Sequence, residues 1–393
     1  EGTPPSCHWD YKKRLRLWAV LMAKGGNSSS SKSGVKKMDF QKQQRSGSSS
    51  SSSSPLNALE GRDRPVVDGP RVFFERKSQG LWSNISSGAG MAVFIFAFCI
   101  MAPILALGWM ALPFAFGAKS LAVFAVLYTV SQTMIPKYYS RAYKDGPIHA
   151  PIINTLVSYC CDFKVIKEAD LDPSRNYVFA WHPHGRMFYG FGTLIGLFST
   201  WYPEIVSAGH DIRGCVNDNM FRIPFLGHWL HLIGLIECNK RKVRKVLSRG
   251  DSIGVIVGGI DEVLEGTFDD KDVLYLKDRK GFCKLALERG AGVVPCYCFG
   301  ESDLFHHEGE LSLRFWRWLN RFVKVGVPFP VRGWMQTPFP KRAPLLVVLG
   351  SPLFAEEGES VAAFHARYVG ALVKLYEGHV GMSSKPGRKL VIV

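Results

Sequence analysis

No CxxC pair occurs in the chain, and no histidines stand at zinc spacing from its 9 cysteines. Structural zinc sites and dithiol redox motifs are thereby excluded, and no metal is expected. The cysteines are scattered from Cys7 to Cys298, mostly through apolar runs, which fits a reduced, cytosol-facing portion better than a disulfide framework. GxGxxG is absent, and so is a glycine-rich run ending in GK[ST]; neither a dinucleotide site nor a P-loop is expected. No serine or cysteine is read as standing in a nucleophile elbow such as GxSxG. Charge is missing from one long stretch as well: Ser78 to Ala118 holds no Asp, Glu, Lys or Arg.

What is present is apolar, aromatic and basic. The 393 residues are enough for a full core and are 47% hydrophobic, with 26 Phe and 10 Trp. Lys and Arg number 49 against 33 Asp and Glu, a formal charge of +16. Such a balance favours a polyanion: nucleic acid, an anionic membrane surface or a phosphorylated cofactor. Nucleic acid is set aside, because no recognition motif accompanies the charge and much of it lies in the tail. Residues 1–75 read as a disordered, basic, serine-rich tail, since runs such as Ser48–Ser54 cannot offset chain entropy by burial. The chain begins at Glu1 rather than Met, as a fragment would.

Residues 76–140 read as a membrane region. Two apolar segments, 90–113 and 119–135, are broken near Lys119 and flanked by Arg71, Arg76 and Lys77 before and Lys137, Arg141 and Lys144 after. They predict a hydrophobic helical hairpin with both outer ends cytosolic; two crossings and a re-entrant hairpin both remain open. The segment lies too deep and runs too long for a signal peptide.

Residues 141–393 alternate. Strand-like runs at Tyr177–Trp181, Ile253–Val257, Val293–Phe299 and Leu345–Leu349 are separated or followed by helical stretches at 192–200, 238–249, 281–290 and 361–377. This predicts an α/β fold with a mostly parallel sheet and flanking helices, whose ligand site lies beyond the strand ends.

Three motifs sit at such ends. In Tyr177-Val-Phe-Ala-Trp-His-Pro-His-Gly-Arg186, a buried strand delivers His182 and His184 to a turn that Pro183 and Gly185 shape. In Ile253-Gly-Val-Ile-Val-Gly-Gly-Ile-Asp-Glu262, Gly258 and Gly259 either form only a tight turn or let backbone N–H groups approach a ligand. Arg279, Lys280 and Lys284 open a helix that Gly290 stops, an arrangement suited to phosphate or to solvent. Glu301 follows the next strand. Two basic stretches concern surfaces. Lys240–Arg249 reads best as a solvated helix face. In Leu313–Lys324, arginines line one side and Phe315, Trp318, Leu319 and Phe322 the other, as on a helix lying in a bilayer plane.

Together, "HPHG" at 182–185, "GG" and an acid at 258–262, Arg222-x-Pro224, and "RKGFxKxAxxxG…VPxxxFGE" at 279–301 resemble the type 2 diacylglycerol acyltransferase family, over roughly 70–393. That family includes monoacylglycerol and wax-ester acyltransferases, and its plant members carry Glu-Pro-His-Ser in place of His-Pro-His-Gly. The resemblance implies a glycerolipid-acyltransferase-like fold at the endoplasmic reticulum membrane and lipid droplets, with homo-oligomers left open. It also implies transfer of a fatty acyl group from acyl-coenzyme A, a co-substrate rather than a resident cofactor, to diacylglycerol or a related neutral lipid. His184 takes the catalytic role and His182 supports it. Glu301 and Glu262 are the alternatives for orienting the imidazole. Arg279, Lys280, Lys284, Gly258 and Gly259 meet the coenzyme. The family's "YFP" is absent, and "YKDGPIHAP" at 143–151 occupies its region. The H-x4-D of glycerophosphate acyltransferases is absent too, since Met187 and Tyr189 stand five residues after the two histidines. A non-catalytic lipid-droplet scaffold is the rival reading, and it leaves the three strand-end motifs unexplained.

Overall fold

Strands that alternate with helices must bury both faces of their sheet, and this one does. The computed structural model describes residues 70–77, 87–92, 108, 111, 114–134, 155–160, 162–223, 226–265, 270–307, 309–323 and 332–393. Its strands are β1 Arg71–Lys77, β2 Asp162–Lys167, β3 Tyr177–His182, β4 Ile212–Val216, β5 Leu235–Glu237, β6 Ser252–Ile256, β7 Lys271–Leu274, β8 Gly292–Phe299, β9 Leu345–Leu349 and β10 Lys389–Ile392. Eight form one sheet in the order β1-β2-β9-β8-β3-β6-β4-β5, and β10 pairs with β7 in a second. In the large sheet β1–β2 and β8–β9 are antiparallel and the other pairs parallel. The expected mostly parallel α/β architecture is therefore present.

The longer helices are α1 Ala118–Met134, α2 Tyr189–Trp201, α3 Lys240–Leu247, α4 Gly259–Glu265, α5 Gly281–Arg289, α6 Glu310–Val323 and α7 Val361–His379. β3 lies between β8 and β6 and is buried along its whole length, which is why its sequence is a continuous apolar run. Its side chains alternate between two cores. Tyr177, Phe179 and Trp181 pack with Phe191, Leu194 and Phe198 of α2; Val178 and Ala180 pack with Phe282 of α5 and Phe364 and Tyr368 of α7. His182 continues the second set, so it points toward α7.

Two expectations meet this structure unevenly. The ordered sheet begins at Arg71, inside the segment read as tail, because Phe74 packs on Phe163 at 6.1 Å and Glu75 pairs with Lys164 at 3.5 Å. The first apolar segment lies largely outside the described residues. The second is α1, a helix of 17 residues with Val123, Val126, Leu127 and Val130 exposed, tied to the domain by the Tyr128 hydroxyl donating to Arg222 O at 2.6 Å. Among the described residues no helix is long and apolar enough to cross a membrane. α1 stands as an apolar helix with exposed side chains, and the choice between two crossings and a re-entrant hairpin falls on residues outside those described.

Candidate active site

The chain leaves β3 through His182-Pro183-His184-Gly185 and enters α2 at Tyr189. Gly185 has φ 61°, a conformation that glycine takes without a Cβ penalty. A side chain there would also collide with Glu301, whose Cγ lies 2.6 Å from an ideal Cβ position. His182 is fully buried, with Nε2 2.9 Å from the Tyr368 hydroxyl and Nδ1 without a hydrogen-bond partner. Desolvation holds its pKa down, to about 3, so this ring stays neutral and out of reach of solvent.

His184 differs. It is only half-buried, and its Nδ1 lies 3.0 Å from Gly185 O. A carbonyl can only accept, so Nδ1 carries the proton and Nε2 keeps its lone pair. Burial lowers the pKa of this ring too. The result is a neutral imidazole of fixed tautomer at the lip of the sheet.

Two buried carboxylates grip the turn, and neither accepts a hydrogen bond from an imidazole. Glu301, just beyond β8, accepts Tyr189 N through Oε1 and Gly190 N through Oε2, both at 2.7 Å. It thereby satisfies donors at the start of α2, where negative charge is also favoured. Glu262 of α4 accepts His184 N through Oε1 and Tyr275 N through Oε2, the latter at 3.3 Å. Burial raises Glu301 to about 7 and Glu262 to about 8 against those backbone bonds. Sequence reasoning offered these acids as alternatives for orienting the ring; the structure attaches both to the main chain on either side of it.

Gly258 explains how Glu262 reaches back. An ideal Cβ at 258 would sit 1.9 Å from Glu262 Oε2, so only glycine leaves room for the carboxylate. Gly259, at φ 69°, opens α4, and Arg279 Nη2 would lie 3.5 Å from a Cβ placed on it. Arg279 donates to Asp261 Oδ2 at 2.8 Å. Lys280 is the N-cap residue of α5, and Lys284 stands exposed one turn on. The second and third motifs thus meet at one sheet edge through Gly259 and Arg279, and Glu262 links the second to the first. Of the basic residues in 240–249, Lys242 pairs with Glu237, and Arg244 pairs with Glu288 at 2.6 Å, which is the solvated, ion-paired face expected of α3.

Sequence reasoning missed Tyr368 as the partner of His182. It stands on the buried face of α7 with Phe364, Leu372 and Tyr376, and nothing in the spacing marks it out from core aromatics. A literal GxSxG, Gly250-Asp-Ser-Ile-Gly254, was also passed over. It opens β6 instead of ending it, and the buried Ser252 Oγ accepts Tyr177 N at 3.1 Å, so this serine is structural.

The hydrogen-bonding neighbours of the His184 ring are backbone carbonyls, not a serine or cysteine. The molecule is thus an α/β protein with a neutral imidazole just beyond the end of β3, where mostly parallel sheets bind their ligands. Comparison with known sequences narrows that class. The chain belongs to the diacylglycerol acyltransferase family, whose pattern it matches over residues 115–392. It is 34% identical over 248 residues to 2-acylglycerol O-acyltransferase 1 of Bos taurus, covering 58% of this chain and 72% of that one. Diacylglycerol O-acyltransferase 2 of Danio rerio is 30% identical over 252 residues, 57% of this chain and 67% of its own. Acyl-CoA wax alcohol acyltransferase 2 of Mus musculus is 30% identical over 238 residues, 55% and 69% respectively. The crystal structure of the 1-acyl-sn-glycerophosphate acyltransferase PlsC from Thermotoga maritima aligns over 74% of this chain and 96% of that one at 14% identity, with a TM-score of 0.36, too low to identify a shared fold.

Proposed function

We propose that the chain transfers a fatty acyl group from acyl-coenzyme A to the free hydroxyl of diacylglycerol, with His184 as general base. The hydroxyl oxygen forms the new bond to the thioester carbonyl carbon while its proton passes to His184 Nε2. The carbonyl oxygen takes the electron pair, and backbone N–H groups near Gly185 or Gly258–Gly259 are the candidates to steady it, each such donor contributing about 3 kcal/mol in comparable sites. Collapse breaks the carbon–sulfur bond, and the leaving thiolate takes the proton from the imidazolium. Triacylglycerol and free coenzyme A result, with no acyl-enzyme between them. Arg279, Lys280 and Lys284 meet the coenzyme's phosphates.

The observation that carries this reading is the Nδ1 contact of His184 with Gly185 O, which leaves Nε2 basic on a half-buried ring. The uncharged run from Ser78 and the bare apolar side of α1 support residence at the endoplasmic reticulum membrane and on lipid droplets, with the site facing the cytosol. Monoacylglycerol is the second acceptor, because 2-acylglycerol O-acyltransferase 1 is 34% identical to this chain. Microsomes carrying the chain, given labelled acyl-coenzyme A and a panel of diacylglycerol, monoacylglycerol and fatty alcohol, decide between them. Label in triacylglycerol is expected. Label only in diacylglycerol or wax ester would move the assignment, and no acceptor-dependent label would overturn it.

A further inference from the structure

We propose that the outward face of α6, with the turn at Trp334–Gln336, seats in the headgroup–acyl boundary of an anionic phospholipid leaflet; this rests on the reading of the chain as a lipid-facing transferase. Leu311, Phe315, Trp318 and Phe322 recur at helical spacing and are 83%, 52%, 54% and 70% exposed, so the helix turns this apolar face outward. They form a continuous strip, with Phe315–Trp318 centroids 6.2 Å apart and Trp318–Phe322 5.3 Å apart.

Charge selects the occupant. Arg314, Arg317 and Arg321 run along one border of the strip, and Glu310 pairs with both Arg314 and Arg317, at 3.2 and 3.5 Å, so that among the described residues of the helix three cations face one carboxylate. The border is left net positive, where the phosphates of an anionic leaflet would meet it. Trp334 and Met335, 58% and 73% exposed, add a second apolar prominence. Their segment is tied back at both ends, His306 N donating to Arg332 O and Lys341 N to Leu304 O, each at 2.7 Å. The next residue, Arg342, reaches Ser87 Oγ at 3.5 Å, within the uncharged run. The turn is therefore joined to the segment that the membrane reading already places at the lipid.

Tryptophan emission tests this in the full chain reconstituted in phosphatidylcholine vesicles with and without phosphatidylserine. The emission lost in Trp318→Phe defines the Trp318 component. Brominated acyl chains should quench that component, more strongly with phosphatidylserine present, and Arg314→Gln/Arg321→Gln should remove most of the difference. Quenching by aqueous acrylamide alone would overturn the proposal. Shielding from both quenchers would also overturn it, in favour of a protein partner or a second copy. Acyl transfer in detergent micelles, measured on the same preparations, separates the two readings. Lost transfer with Trp318 quenched sinks only the enzymatic reading; retained transfer with Trp318 unquenched sinks only the docking.

Discussion

The two histidines of one tetrapeptide have opposite surroundings, and their replacements should separate accordingly. His184→Ala removes the half-buried ring just beyond β3, and should lower turnover by at least about 100-fold while leaving the protein folded and membrane-associated. His182→Ala deletes a fully buried ring bonded to Tyr368, so it should act through stability, with a lowered Tm and a smaller loss of turnover per folded molecule. Unchanged turnover in well-expressed His184→Ala would remove the mechanism. Glu262 and Glu301 give a pH dependence of definite sign. Their folded-state values, about 8 and about 7, lie above the ordinary carboxylate value, so between the ordinary and the raised pKa the folded chain holds more protons than the unfolded one. Stability contributed by the neutral forms is complete at low pH and is lost as pH rises through about 7 to 8. Glu262→Gln cannot ionise, and its Tm should fall less than that of the parent between about pH 5 and about pH 8. A parallel fall in both proteins would contradict the raised value.

At the scale of elements, β3, β6, β8 and β9 were legible because each is a mostly apolar run without charge between turn residues, as strands buried on both faces must be. β2 and β4 were not. Asp162-Phe-Lys-Val-Ile-Lys167 mixes charge into a strand, and its Lys167 is buried, donating to Trp201 O at 2.8 Å and lying over the Tyr202 ring at 4.2 Å. Ile212-Arg-Gly-Cys-Val216 breaks the pattern with Arg213 and with a glycine on which a Cβ would come 2.4 Å from Leu235. The three site motifs were legible as strand ends. Their mutual contacts were not, because the Glu262–His184 bond joins segments 78 positions apart and depends on a missing Cβ at Gly258. The α5 motif makes its own prediction. Arg279→Ala/Lys280→Ala should raise the KM for acyl-coenzyme A several-fold with little change in the acceptor's, since both groups stand exposed at the start of α5 and Arg279 lies beside Gly259. Equal effects on both substrates would assign the pair to folding.

For the whole molecule, orientation is the property to measure. Basic residues bound the apolar stretch outside, so both flanks are expected on the cytosolic side. Protease added to intact microsomes should digest tags placed near Ser48 and after Val393. A tag near Lys119 is protected if the chain crosses twice and digested if it re-enters, while protection of either terminal tag would overturn the cytosolic site. The double grip on the turn after β3 has a different consequence, for redesign. Glu262 and Glu301 hold main-chain atoms, those of His184, Tyr189 and Gly190, so the loop is fixed on both sides of Met187 without using that side chain. Met187, half-buried inside that span, is thus a dial that can be turned with the frame left in place. Exchanging it for Leu or Phe should preserve Tm to within a few degrees and shift the preference among acceptor lipids, read as the ratio of kcat/KM values. A collapse of Tm in both variants would show that the frame leans on that side chain after all.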